Sequence, residues 1–136
     1  MDYSDLPTKA LSIRNPWAFG IVYSSKRIEN RSARWKFRGP ICIHISSYEP
    51  NAQDWRLFNK CAKDAKASLV NWPTGLEKGA RHGSGIIGTA EIVDCVDQSD
   101  DPWFFGPFGL VLENVKPVEF IPVKGALGLF DWRKNL

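Results

Sequence analysis

Lys26 and Glu29 stand three residues apart, with Asn30 and Arg31 directly after them. A lysine serves as a general base only if burial or nearby cations depress its pKa, and Arg27 and Arg31 are close enough in sequence to contribute. A carboxylate beside it opposes that shift, so Lys26 and Glu29 fit an acid/base pair and a buried structural salt bridge alike. Asn30 adds an amide that could polarise a carbonyl or phosphate oxygen. The pair heads a basic run: Lys26, Arg27, Arg31, Arg34, Lys36 and Arg38 fall within thirteen residues, opposed there only by Glu29. Arginine grips phosphate oxygens through a planar fork, whereas lysine acts as a point charge. Trp35 and Phe37 sit among these cations, and an exposed ring stacks on an unpaired base for about 1–3 kcal/mol. The competing reading is a solvated surface run with Trp35 in the core.

Other residues carry weaker chemistry. In Arg14-Asn-Pro-Trp17 a cation precedes a helix start, where free backbone N–H groups attract anions. The alternative there is a capped helix with Trp17 packed inward and Arg14 paired to an acidic neighbour. His44 and His82 are the two histidines, the first on a strand and the second in a Gly-rich loop. A satisfied structural role suits His44 on a helix-covered face, and His82 reads as solvated. Trp103-Phe-Phe-Gly-Pro-Phe108 is either a stacking lip or closure packing of the core; Asp100 and Asp101 before it would repel phosphate. Lys124-Gly125, beside another turn, could reach the rim of a cleft. No His/Cys/carboxylate cluster has metal-ligand spacing, so neither a metal nor a cofactor is expected.

The elements that must position these residues follow from periodicity. Thr8 to Arg14 alternates and predicts a short strand, with Ala10, Ser12 and Arg14 on one face. Asn15-Pro16 signals a helix start, Asn as cap and Pro at the first turn, and the helix is expected to run from Pro16 to Lys26. Ile28 to Arg31 is a further short strand, and Ser32 to Pro40 an irregular basic loop. On Ile28–Arg31 alternation points Lys26 and Ile28 one way and Glu29 and Arg31 the other, so a bend at the helix end would be needed to bring Lys26 and Glu29 together. Ile41 to Ser46 has period two, isoleucines on one face and Cys42, His44 and Ser46 on the other. Asn51 to Leu69 is the strongest helix, striped by Trp55, Phe58, Ala62, Ala65 and Leu69. Asn71 to Gly85 predicts a long, mobile, Gly-rich loop. Strands are expected at Gly85–Val96, Phe108–Val115 and Val118–Val123, the last two broken by Pro117, and an edge strand or turn within Gly125–Trp132. Two helices with five or six short strands indicate an α+β domain on a small, strongly curved sheet.

Composition narrows the setting. The 136 residues suit a single domain, 1–136, and 43% hydrophobic with 24% charged residues is ordinary for a globular chain. No apolar run approaches the roughly 20 residues that span a bilayer, and the N-terminal stretch has no secretory pattern. Cys42, Cys61 and Cys95 are odd in number and far apart, which fits reduced, buried thiols in the cytoplasm. The net charge of +3 is small, but basic residues gather early and Asp94, Asp97, Asp100 and Asp101 late, so a molecule with one basic side is expected.

Several blocks, in this order, resemble the ASCH family, named for homology with an activating signal cointegrator. They are Leu11-Ser-Ile-Arg-Asn-Pro-Trp-Ala18, Lys26-Arg-Ile-Glu-Asn-Arg31, Arg38-Gly-Pro40, Ile43-His-Ile-Ser46, Gly85-Ile-Ile-Gly88, Phe108-Gly109 and Pro122-Val-Lys-Gly-Ala-Leu-Gly128. The resemblance spans about residues 10–132. It implies a small PUA-like β-barrel flanked by two main helices, with a cleft that binds single-stranded RNA or a nucleotide-like ligand. Some family members look like small hydrolases that cleave single-stranded RNA or remove acyl groups from cytidine. The amidohydrolases use a set resembling Lys-x-x-Thr with a distant Glu; Lys26 matches, but Glu29 stands at the threonine, which argues against a threonine nucleophile. The expected reading is a nucleic-acid-binding module in RNA metabolism, its ligand held by Arg14, Trp17, Asn30, Arg31, Arg34, Trp35, Arg38 and Lys124. A metal-independent hydrolase using Lys26 and Glu29 is the alternative, and an adaptor holding a protein partner through Trp103–Phe108 is the third.

Overall fold

Alternation on one central strand organises the molecule. Ile41, Ile43 and Ile45 lie on one face of β3 (Gly39–Ile45) and are fully buried. They pack with Leu11 and Ile13 of β1 (Lys9–Ile13) against Ala18, Phe19, Ile21 and Val22 of α1 (Trp17–Tyr23). The computed structural model describes residues 3–72 and 84–136, so the expected loop at 71–85, with His82, falls mostly outside the described residues. The remaining elements are β2 (Ile28–Arg31), α2 (Ala52–Asp64), β4 (Gly85–Val96), β5 (Phe108–Pro122) and β6 (Leu129–Asp131).

The six strands form one sheet in the order β2-β5-β4-β3-β1-β6, curled into a half-barrel. Only the β1–β3 pair is parallel. The α+β class is as expected; the barrel is a half-barrel, because β2 and β6 end the sheet. The curl has a local cause. Pairing of β4 with β5 shifts register at Ile86/Gly88, Thr89/Glu91 and Ile92/Asp94, and each irregularity bends a strand and increases its twist.

β1 and β3 fall within two residues of their expected bounds, and the larger departures are in β5 and the two helices. β5 is one strand of 15 residues, not two broken at Pro117, because the irregular ladder leaves room for a residue that cannot donate. The first helix begins at Trp17 with Pro16 as its cap residue, and Asn15 Oδ1 accepts from the Phe19 N–H at 3.4 Å. It stops at Tyr23, three residues short of Lys26. There Arg27 Nη1 donates to the Ile21, Ser24 and Lys26 carbonyls, closing the turn. The second helix stops at Asp64 because Lys66 takes a left-handed conformation (φ 53°). Its N–H bonds to the Lys63 carbonyl and that of Ala67 to the Ala62 carbonyl, a Schellman end, and Leu69 is left exposed.

At its start, α2 is fixed by a reciprocal capping box between Asn51 and Asp54. It packs through Phe58, Cys61 and Ala62 against Trp103, with Trp17 and Trp55 beside them. Phe58 lies so close over Gly20 that an added Cβ would be 2.8 Å from its ring, so the two helices meet where α1 has no side chain. Among the described residues, no helix is long and apolar enough to cross a membrane.

Candidate functional site

The half-barrel's edge strands are β2 and β6, but β6 pairs with β1 only over Lys9–Leu11; past Leu11 the end of β1 faces β2 across a seam that holds a cleft of about 250 Å³. Ser12, Ile13 and Arg14 line it from the end of β1, Trp17 from α1, and Glu29, Asn30 and Arg31 from β2. No backbone ladder joins the two strands; Arg31 Nη2 bridges them by donating to the Ser12 carbonyl at 3.3 Å.

Glu29 and Arg31 are two residues apart on a strand and so share a face. Arg31 Nη2 sits 3.1 Å from Glu29 Oε2. Lys26 reaches the same carboxylate from the turn where α1 ends, its Nζ 3.3 Å from Glu29 Oε1, and also donates to the Ile28 carbonyl. The bend needed to unite Lys26 with Glu29 is therefore present. The two differ in access: Lys26 is 1% exposed and lies behind Glu29, which itself faces the cleft. Burial pushes the Lys26 ammonium below the ordinary lysine range; the charge and hydrogen bond of Glu29 pull it back, helped by Asp101 and Cys61.

Two guanidinium groups border the cleft with donors to spare. Arg14 is exposed and lies 4.4 Å over the Tyr48 ring, and among the described residues it makes no hydrogen bond through its guanidinium. Tyr48 is held in turn by its hydroxyl, which donates to Asp54 Oδ2 at 2.6 Å, within the capping box of α2. Arg31 rests 5.3 Å from the Trp35 ring; its Nη2 is spent on Glu29 and Ser12 and its Nε is buried, which leaves Nη1 without a hydrogen bond among the described residues.

Asn30 is occupied differently from the expectation. Its Nδ2 donates to the Trp103 carbonyl at 3.0 Å, and its Oδ1 accepts from the N–H groups of Phe105 at 2.8 Å and Gly106 at 3.1 Å. It clamps the aromatic loop to β2 instead of offering a free amide to a ligand. That loop is divided: Trp103 is buried at 1%, whereas Phe105 is 48% exposed and meets Trp17 edge-on, ring centroids 5.9 Å apart at 80°.

The rest of the basic run lies away from the cleft. Arg34 pairs with Asp97 at 3.0 Å, donates to the Cys95 carbonyl and stacks over Phe108. Arg38 lies 3.7 Å from Asp94 and donates to the Trp35 and Phe37 carbonyls. Trp35 borders a shallow depression with Lys36, Phe37 and Leu129, and Lys124 is exposed outside the cleft lining. The expected separation into a basic and an acidic side is corrected here: the sheet brings the late aspartates beside the early arginines, and they pair.

His44 is fully buried. Its Nε2 bonds to the Val123 carbonyl at 2.8 Å, so that nitrogen carries the proton, and Nδ1 accepts from the Ser12 hydroxyl at 2.9 Å. Burial lowers its pKa. The face covering it is not the helical one: Phe130, Val123 and Gly125 lie there, and a Cβ on Gly125 would be 2.6 Å from the ring. Among the described residues, no three His, Cys, Asp or Glu side chains gather as a metal site.

Ser12, Ile13 and Tyr48 are not singled out by sequence, and Phe105 only as part of the Trp103–Phe108 segment. Period two from Arg14 places Ser12 on its face, which was a usable signal; nothing local ties Tyr48 to Arg14.

No family model matches the chain. The chain is similar to Activating signal cointegrator 1 of Homo sapiens. The two are 25% identical over 126 residues, covering 85% of this chain and 20% of that protein. The chain thus spans about a fifth of the length of the curated relative it matches.

Proposed function

We propose that residues 1–136 act as one ASCH-type domain that binds single-stranded RNA, or a nucleotide-like ligand, in the seam between β1 and β2. One observation carries the reading: Arg14 and Arg31 border one cleft, Arg14 with no guanidinium hydrogen bond and Arg31 with none at Nη1 among the described residues, while Arg34 and Arg38 are turned to aspartates. The likeness to Activating signal cointegrator 1 and the order of ASCH blocks support it. A PUA-like relationship and a place in cytoplasmic RNA metabolism belong to the same proposal. The cleft is smaller than the about 300–1,000 Å³ that encloses a drug-sized ligand, so it encloses one group of the ligand and leaves the rest outside. Fluorescence anisotropy with a labelled single-stranded oligoribonucleotide tests this. Affinity should fall with salt at a log–log slope of about −1.4, two contacts at roughly −0.7 each. Salt-insensitive binding, or none, would remove the reading and favour a protein partner.

A second reading is a hydrolase. It is favoured by the desolvated Lys26, its pKa lowered, hydrogen-bonded to a carboxylate that faces the cleft. In that case Glu29 exchanges protons with the substrate and Lys26 sets its charge from behind. Turnover of acylated cytidine or of RNA should then fall by about two to four powers of ten in Glu29→Gln. Absence of turnover in wild type and in Glu29→Thr, with RNA binding intact, removes it.

A further inference from the structure

We propose that Phe105 is the platform on which one unpaired base of the ligand stacks, with Trp17 as the wall at its edge; this rests on the nucleic-acid reading above. The argument begins from an anomaly of exposure. In one short aromatic segment Trp103 is buried and does the packing, yet Phe105 keeps 48% of its surface in water. An exposed phenylalanine is ordinary on a loose loop, but this one is held. Its N–H and that of Gly106 both bond to Asn30 Oδ1, and Asn30 Nδ2 holds the Trp103 carbonyl, so the loop is tied at three points to the strand that carries Arg31. A ring fixed in place and left half open loses little further freedom when a ligand covers it.

The neighbours give the site its shape. The Trp17 ring stands at 80° to Phe105 with centroids 5.9 Å apart, and Trp17 is itself braced edge-on by Phe58 at 5.7 Å. The two rings therefore make a corner. A planar heterocycle laid on Phe105 presents its edge to Trp17, a geometry favoured by the ring quadrupoles. Trp17 also lines the cleft bordered by Arg14 and Arg31, so a base in the corner carries its phosphate toward the two guanidinium groups. Only an unpaired base has a free face for this, so the subsite selects single strands. Every base has such a face, so stacking confers little base preference.

The test uses a short oligoribonucleotide with a single 2-aminopurine, whose fluorescence is quenched on stacking, and a matched strand with an abasic site there. Phe105→Ala should bind the 2-aminopurine strand about 5- to 150-fold more weakly, the worth of one stacked base, and lose the quenching while keeping the wild-type salt slope. Phe105→Tyr should restore both, and the abasic strand should bind wild type and Phe105→Ala alike. Phe105→Leu keeps bulk without a π-face and should resemble the alanine variant. Wild-type affinity and quenching in Phe105→Ala, or in a folded Phe105→Leu, would overturn the platform while leaving the nucleic-acid reading standing. Failure of wild type to bind any strand would overturn both.

Discussion

Two pairs of arginines, Arg14 with Arg31 and Arg34 with Arg38, meet different surroundings. Arg34 and Arg38 are directed to Asp97 and Asp94, which the β4 strand and the turn after it bring beside them. Arg31 pairs with Glu29 through Nη2 but keeps Nη1 without a hydrogen bond among the described residues, and Arg14, just after β1, lies over a tyrosine ring. The difference lies in the sheet. Where strands pair, distant residues arrive to neutralise a charge; past Leu11, where the end of β1 faces β2 without a ladder, the guanidinium groups keep donors open. Charge density along a chain therefore locates a binding surface only after the seam is known.

The sharpest way to break this comparison is to remove the carboxylate at the seam. Lys26 is buried and its partners are Glu29 and a backbone carbonyl. Glu29→Ala strands the ammonium, and breaking a buried pair from one side costs about 3–5 kcal/mol. Urea denaturation should show a loss of that order, largely recovered in Lys26→Met/Glu29→Ala, where no charge is left uncompensated. A loss below about 1 kcal/mol in Glu29→Ala would mean the pair is solvated and the two regions differ less than described.

Binding contrasts the regions directly. Arg14→Ala/Arg31→Ala should weaken single-stranded RNA binding by about one to two powers of ten near 0.1 M salt and flatten the salt slope by about 1.4. Arg34→Ala/Arg38→Ala should leave both nearly unchanged. Equal effects from the two doubles in anisotropy titrations would return the binding surface to the whole basic run.

Local signals were legible and long-range partners were not. The isoleucine alternation of β3, the start of α2 near Asn51 and the Glu29–Arg31 face could be read from spacing alone. The end of α2 could not, since Lys66 occupies a left-handed position usually given to glycine. Continuity of β5 through Pro117 depends on register shifts set by β4, a strand that begins 32 residues earlier at Gly85. At the site, Lys26, Glu29, Arg31 and Arg14 are brought to one seam, but Asn30 turns to Trp103, and Arg34 and Arg38 turn to aspartates, because those partners lie over 50 residues away.

His44 extends the comparison to a group with both nitrogens satisfied. Its pKa is lowered by burial, so between the ordinary imidazole value near 6.5 and the lower folded value the unfolded chain binds the extra proton. Stability is then full above about pH 6.5 and declines as pH falls, by at most about 1.4 kcal/mol per unit. Thermal melts from pH 7.5 to 5 should show this decline in wild type and a shallower one in His44→Asn. Parallel curves would show that another group governs the acid limb.

The smallest effect is the most discriminating. Asp94 and Asp97 are 60% and 61% exposed, and their arginine partners are also well exposed, so each pair is worth about 0–1 kcal/mol. Asp94→Asn/Asp97→Asn should barely move the urea midpoint. It should, however, free two guanidinium groups for phosphate and make the RNA-binding slope steeper by up to about 1.4. If pairing alone separates the two regions, this variant gains binding that Arg34→Ala/Arg38→Ala then abolishes, and the gain persists when Arg14 and Arg31 are removed. If the slope does not change, distance from the seam matters more than the aspartates. The gap between β1 and β2 would then be the sole determinant of where the ligand binds.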